Sequence, residues 1–296
     1  MTLIDLIEQM STRLEQAGVS FGHGTLNAFD EAAWLTLWRL GLPLDSLDEH
    51  AGRNVGAQEI DAVGALIEER IATRRPAAYL THEAWLQGVP FYVDERVIVP
   101  RSLIAEPLVA GAIDTFLSAA PQRVLDLCTG NGSLAVLAAL CYPQAHVDAS
   151  DISADALAVA QINVERHDLQ ARITLHLADG LPTGTDGDVF DLILCNPPYV
   201  NSTSMAALPP EYRAEPALAL EGGADGMQFI RALLAHAAAH LTAGGVLVLE
   251  IGNEATHFEQ AFPHLAAQAV WLDTSAGSDQ VLLLTRTQLS SAKVSV

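Results

Sequence analysis

From about residue 121 onward, short apolar runs alternate with longer amphipathic ones, and this alternation limits what the chain can fold into. RVLDLC, HVDASD, ITLHLA, FDLILCN, GGVLVLEIG, AVWLD and QVLLLTR read as strands. SLAVLAALCY, ADALAVAQINVERHD and GMQFIRALLAHAAAHL separate several of them and carry helical spacing. Strands that alternate with helices form a mostly parallel sheet, because each crossover brings the chain back to lay a parallel neighbour. The expectation is an α/β, Rossmann-like domain over 101–296. Such sheets bind ligands outside the carboxyl ends of their strands, where strand order reverses. Residues that end a strand are therefore the candidates for chemistry.

Before residue 80 the pattern is different. Phe29, Ala33, Trp34, Leu37, Trp38 and Leu40 fall near helical spacing, and Gly41 with Pro43 stops the run. DAVGALIEERIATR is a second amphipathic helix. The aromatic residues read as core, since an apolar helical stripe ordinarily packs. Residues 1–80 are thus expected to form a small helical domain. Between 84 and 99, AWLQGVPFYVDERVIV alternates around Gly88 and Pro90, which predicts a β-hairpin linker over 81–100.

The first strand of the sheet runs into VLDLCTGNGSLA, residues 124–135. Gly130 and Gly132 allow a tight turn and a close approach of backbone to ligand before the next helix, with Thr129 and Asn131 in the same loop. Asp151 ends the second strand 19 residues after Gly132, where an acid can accept hydrogen bonds from ribose hydroxyls. The pattern points to an adenosine-containing cofactor. Gly130, Gly132 and Ala135 formally satisfy a dinucleotide fingerprint, which keeps a nicotinamide or flavin dehydrogenase as a rival. Asp126 argues against it: a pyrophosphate would be repelled there, whereas the ammonium of a methionine moiety would be attracted. S-adenosylmethionine is the expected cofactor. Asp179, closing the third strand, is placed to meet the adenine amino group.

The fourth strand stops at Asn196-Pro197-Pro198-Tyr199. Two prolines remove two backbone donors and stiffen the chain as it leaves the sheet. An amide or exocyclic amino nitrogen is a poor nucleophile because its lone pair is delocalised. The side-chain oxygen of Asn196 and the carbonyl of Pro197 can accept its two N–H bonds, aiming the lone pair at a methyl group. Tyr199 is expected to form a wall against the planar acceptor. A hydrolase has no nucleophile here, because no Gly-x-Ser-x-Gly elbow occurs. His236 and His240 share a helical spacing, but no glutamate lies between them and no third ligand is evident, so no metal site is assigned.

Composition narrows the partners. The formal net charge is -21, and Lys293 is the single lysine among 15 basic residues. No basic stripe suited to phosphates is visible, so direct reading of nucleic acid is not expected. A basic protein suits an acidic surface better. Cys128, Cys141 and Cys195 lie apart with no Cys-x-x-Cys pair, which fits a reducing, cytoplasmic setting. MTLIDLIEQM lacks the basic start of a signal peptide, and no apolar run approaches the roughly 20 residues that span a bilayer.

Asp-x-x-x-Gly-x-Gly followed by Asn-Pro-Pro-Tyr resembles the class I methyltransferases that methylate amide or adenine nitrogens. Residues 78–106, 208–234 and 21–35 further resemble the protein-glutamine N5-methyltransferases, so the likeness covers nearly the whole chain. That resemblance implies methylation of a glutamine side-chain amide in a protein, recognised by the helical domain. One branch acts on peptide-chain release factors and another on the third protein of the large ribosomal subunit. The release-factor enzymes typically read Pro-Arg-Pro-(Glu/Asp)-Thr-Glu after the hairpin. Here Pro100-Arg101-Ser102-Leu103-Ile104-Ala105-Glu106 is one residue longer, and GHGT at 22–25 also favours the ribosomal-protein branch. Arg101 is expected to meet the cofactor's carboxylate. Cys128 stands where the family usually has glycine. Rivals are adenine methylation, which would want a basic groove, and an inactive assembly factor, which would tolerate a damaged loop.

Overall fold

The computed structural model describes residues 1–181 and 189–291; Lys293 lies outside them. Five helices come first: α1 (Leu3–Gln16), α2 (Ala28–Arg39), α3 (Leu47–His50), α4 (Ala57–Thr73) and α5 (Ala77–Thr81). Their shared core joins Leu3, Leu6, Ile7, Met10 and Leu14 of α1 to Leu35 of α2 and to Val63 and Ile67 of α4. The spacing of these residues is what gives each helix one apolar face. Local polar groups set where the helices begin: Thr2 and Asp5 close a capping box on α1, and Asn27 caps α2 through the Asp30 N–H.

A short antiparallel hairpin follows, β1 (Ala84–Leu86) with β2 (Val89–Phe91). The alternation through residue 99 suggested longer strands. Beyond Phe91 the backbone donors find other partners. Asn163 accepts the Tyr92 N–H at 2.7 Å, Asp94 accepts the Arg96 N–H at 3.1 Å and Glu215 accepts the Val99 N–H at 2.9 Å. With those donors taken by side chains, no strand ladder can continue.

Then come α6 (Ala105–Val109), β3 (Arg123–Leu127), α7 (Ser133–Cys141), β4 (His146–Asp151), α8 (Ala154–Arg166), β5 (Ile173–Leu177) and β6 (Phe190–Cys195). They are followed by α9 (Ser202–Ala207), α10 (Gln228–His236), β7 (Leu241–Glu250), α11 (Ala255–Ala261), α12 (Pro263–Ala266), β8 (Val270–Thr274), β9 (Gly277–Thr285) and α13 (Arg286–Ser291). All seven expected strands form one sheet in the order β5-β4-β3-β6-β7-β9-β8. It is parallel from β5 to β7, and β9 pairs antiparallel with both β7 and β8. This is the Rossmann-like fold of class I methyltransferases. Alternate residues feed two cores: Leu192 and Leu194 of β6 face one, Ile193 and Cys195 the other. The chain runs outward from β3 to β5 and then returns to β6 on the other flank of β3. That reversal places the switch point between β3 and β6, and so determines where a ligand can sit.

Candidate active site

Across the switch point Leu127 of β3 stands beside Cys195 of β6, so the turns that leave the two strands lie against each other. The first turn uses left-handed backbone three times, at Cys128 (φ 61°), Gly130 (φ 56°) and Gly132 (φ 80°). Glycine adopts this conformation freely, whereas a cysteine pays about 1 kcal/mol for it. The family's usual glycine at 128 thus has a physical reason, and Cys128 occupies the same conformation under mild strain. The twist also turns its side chain: Cys128 packs on the same side of the sheet as Leu127 and Cys195. At Gly132 a Cβ would stand 3.2 Å from that of Ala160, so this glycine lets α7 start hard against α8.

A cavity of about 510 Å³ opens over these strand ends, a size ordinary for a small-molecule site. Its wall brings together Arg101, Thr129, Gly130, Asn131, Asp151, Asp179, Asn196 and Pro198, residues that span nearly a hundred positions of sequence. The Asp151 carboxylate is fixed by two backbone donors, Gly130 N–H and Ser153 N–H, each at 2.9 Å. Both oxygens keep lone pairs for ribose hydroxyls. Asn131 Nδ2 and Ser150 Oγ are buried on wall residues without a hydrogen-bond partner among the described residues. An unpaired buried polar atom costs about 1–3 kcal/mol, which a hydroxyl- and amine-rich ligand would recover. These residues fit an adenosine-containing cofactor. Ser150 was not picked out by sequence, and its place just before a strand-ending acid was the available signal. Asn196 stands half-buried on the wall, and no described group hydrogen-bonds to its side chain. Its amide is therefore available to a ligand.

Four expected residues stand behind the wall. Asp126 was expected to face an ammonium, but it is buried and its carboxylate is turned into the loop. There it accepts the Thr129 hydroxyl and the Ala135 N–H, the latter at 2.9 Å. It therefore caps the first turn of α7 and holds the loop's shape, a hydrogen-bond acceptor at a helix N-terminus. Burial pushes its pKa up to about 7, against the lowering effect of those hydrogen bonds. Tyr199 was expected to be a wall of the acceptor site. Instead its hydroxyl donates to Glu250 at 3.1 Å, and its ring fills the space over Gly252, where a Cβ would come within 2.3 Å. Gly222 and Gly226 close on the Tyr199 backbone, each leaving no room for a side chain. Tyr199 is a strut under the loop. Gly132 and Pro197 likewise support the wall without lining it.

Glu250, at the end of β7, was missed by sequence reasoning. Its buried carboxylate accepts Ser102 Oγ at 2.6 Å, Leu103 N–H at 2.9 Å and the Tyr199 hydroxyl. Burial raises its pKa, with those donors pulling the other way. It ties the segment carrying Arg101 to the Asn196 loop. Arg101 itself forks onto Glu215, Nη1 to Oε1 and Nη2 to Oε2 at 2.7 Å, while still lining the cavity.

The methyltransferase small domain family matches residues 111–208, which include the glycine loop, Asp151 and the Asn196 loop. The hMettl16 catalytic domain, solved with a 3′UTR hairpin, shares the fold at a TM-score of 0.50 and 13% identity, covering 82% of this chain and 85% of that one. The ribosomal protein uL3 glutamine methyltransferase of Bordetella pertussis is 54% identical over 98% of this chain and 97% of its own length. The protein of the same name from Burkholderia pseudomallei is 51% identical over 97% and 95%. That from Neisseria gonorrhoeae is 47% identical over 97% and 95%. Likeness of this degree over nearly the full length, on a chain whose strand ends build this cavity, means that the protein belongs to the ribosomal protein uL3 glutamine methyltransferase family.

Proposed function

We propose that this enzyme moves a methyl group from S-adenosylmethionine to the side-chain amide nitrogen of a glutamine in ribosomal protein uL3, in the cytoplasm. The observation that carries the reading is the unengaged Asn196 amide, standing on the cavity wall across the switch point from the glycine loop. S-adenosylmethionine supplies an electrophilic sulfonium methyl when bound. Gly130, Thr129 and Asn131 would cradle it, Asp151 would take its ribose hydroxyls, Asp179 its adenine amino group and Arg101 its carboxylate. Asn196 Oδ1 would accept an N–H bond of the acceptor amide, with Pro197, buried behind the wall, holding the loop that presents it. Held that way, the nitrogen directs its lone pair toward the methyl, which is catalysis by positioning. No general base is needed for the attack, because the proton becomes acidic once the new bond forms.

The helical segment would recognise the protein acceptor. Ribosomal proteins as a class are basic, and the formal charge of -21 gives the matching sign. No described helix is long and apolar enough to cross a membrane. The test is intact-mass measurement of uL3 and of a peptide-chain release factor after incubation with enzyme and cofactor. One added methyl on a glutamine of uL3 alone is the expected result. Methylation of the release factor alone would keep the chemistry and overturn the substrate. No added mass on either, with cofactor bound, would move the search to adenine in nucleic acid.

A further inference from the structure

The helical segment and the loop after the Asn196 motif meet through buried charge. Ser20 N–H and Arg74 Nη1 donate to Glu211 at 3.2 and 3.1 Å, and Arg70 Nη1 stands 3.6 Å from it. Four residues on, Glu215 accepts Val99 N–H and both Nη atoms of Arg101. Beside the Glu215 Oε2 that takes Arg101 Nη2 is His23, from the turn between α1 and α2. It is 1% exposed, with Nε2 3.6 Å from Oε2 of Glu215 and its ring 4.2 Å from that of Tyr212. The Arg101 guanidinium in turn stands 5.4 Å over the same Tyr212 ring. His23 and Arg101 thus meet at Glu215 and Tyr212, which joins the helical segment to the cavity wall.

We propose that His23 is a positioning residue for the cofactor: through Glu215 it fixes the Arg101 fork at the cavity wall. The proposal rests on the reading that Arg101 receives the cofactor's carboxylate. A guanidinium has five N–H donors, of which Val99 O and Glu215 take three. Two remain for a ligand. A carboxylate held by Arg101 alone would move with it and would orient nothing. Glu215 is anchored because Val99 N–H shares its Oε1 with Arg101 and His23 stands beside its Oε2. His23 also answers an electrostatic difficulty. A second carboxylate arriving at Arg101 must share one cation with Glu215, and an imidazole edge beside Glu215 offsets part of that repulsion. An apolar ring would fill the same space with no desolvation cost, yet both nitrogens of His23 are buried here without a hydrogen bond among the described residues. The polar edge toward Glu215 is what distinguishes histidine at this point.

The test compares calorimetric binding of S-adenosylmethionine with that of its decarboxylated analogue, which keeps the adenosine and the sulfonium. The wild-type enzyme should prefer S-adenosylmethionine by about tenfold or more, the scale of a charge-assisted contact. Arg101→Ala should abolish that preference. His23→Ala should reduce it severalfold while leaving the analogue's affinity within about twofold. A merely structural role for His23 would weaken both ligands alike. If Arg101→Ala abolishes the preference and His23→Ala retains it, the His23 proposal is overturned and the reading of Arg101 stands. If Arg101→Ala retains it, or the wild type shows none, the reading of Arg101 fails and the proposal fails with it. Should His23→Ala not fold, His23→Phe fills the same space without the polar edge and must show the same reduced preference; an unchanged preference in that variant overturns the proposal.

Discussion

The centre of the sheet and the seam under the helical segment are built from opposite materials. β6 is fixed by apolar contacts on both faces, with Leu192, Ile193, Leu194 and Cys195 all fully buried. The seam is fixed by charge: Arg70, Glu31, Glu211 and Glu215 are buried, with Arg74, Arg101 and His23 around them. Apolar burial is non-directional and supplies net stability. A buried ion pair supplies little net stability, because its attraction is largely offset by lost hydration, but it does fix geometry. The difference suggests a division of labour. The sheet holds the strand ends in place, and the seam sets the angle at which the acceptor-side loop and Arg101 face the cavity.

The largest effect should come from breaking the seam on one side. Arg70 donates to Glu31 at 2.9 Å and to the Ser20 carbonyl at 3.1 Å. Arg70→Ala strands the Glu31 carboxylate in the interior and should lower unfolding free energy by about 3–5 kcal/mol. Glu31→Leu with Arg70→Met should recover most of that loss in denaturant titration. A double variant as unstable as the single one would show that the seam contributes stability, and the contrast with the sheet would collapse.

A smaller effect separates the two regions by pH. The pKa of Asp126 rises from the ordinary 3.8 to about 7 through burial. Between those values the folded enzyme keeps a proton that the unfolded chain has lost, so this group's contribution to stability falls as pH rises through the window. Asp126→Asn removes the dependence. Its melting temperature relative to wild type should therefore improve from pH 4.5 toward pH 7.5. A constant difference would show that Asp126 is already ionised inside the loop. Glu215 behaves in the opposite sense: burial would raise its pKa, but Arg101 and His23 outweigh burial and lower it from 4.5 to about 2, so its contribution is full above the unfolded value and is lost as pH falls from there toward 2.

The smallest effect is expected at Cys128. Cys128→Gly relieves the left-handed strain, which is worth about 1 kcal/mol or less once the flexibility of the unfolded glycine is counted. Thermal melting should show a change of a few degrees at most. A large loss of stability would mean that the packing of the Cys128 side chain outweighs its backbone.

The two regions also differed in how much the sequence disclosed. Gly130 and Asn196 were legible because each stands where a strand meets glycine or proline, and Asp151 because it is an acid that ends a strand 19 residues after Gly132. Their convergence on one wall followed from strand order. The direction of the Asp126 and Tyr199 side chains was not legible, since it depends on partners such as Ala135 N–H and Glu250. The seam was missed because its partners are remote: Ser20 and Glu211 lie 191 positions apart, and Arg74 and Glu211 lie 137 apart. One clue was present. Arg70 falls on the same helical face as Val63, Leu66 and Ile67, and a charge on an apolar stripe calls for a buried partner. The sequence named no partner.

The central claim is that chemistry at this sheet edge is positioning by the Asn196 amide. The direct measurement is single-turnover methyl transfer to uL3 by Asn196→Ala, alongside its melting temperature and cofactor affinity. Transfer should fall by about a hundredfold or more, the scale of one transition-state hydrogen bond. Melting and cofactor binding should stay near wild type. Undiminished transfer in a folded, cofactor-binding variant would contradict the account.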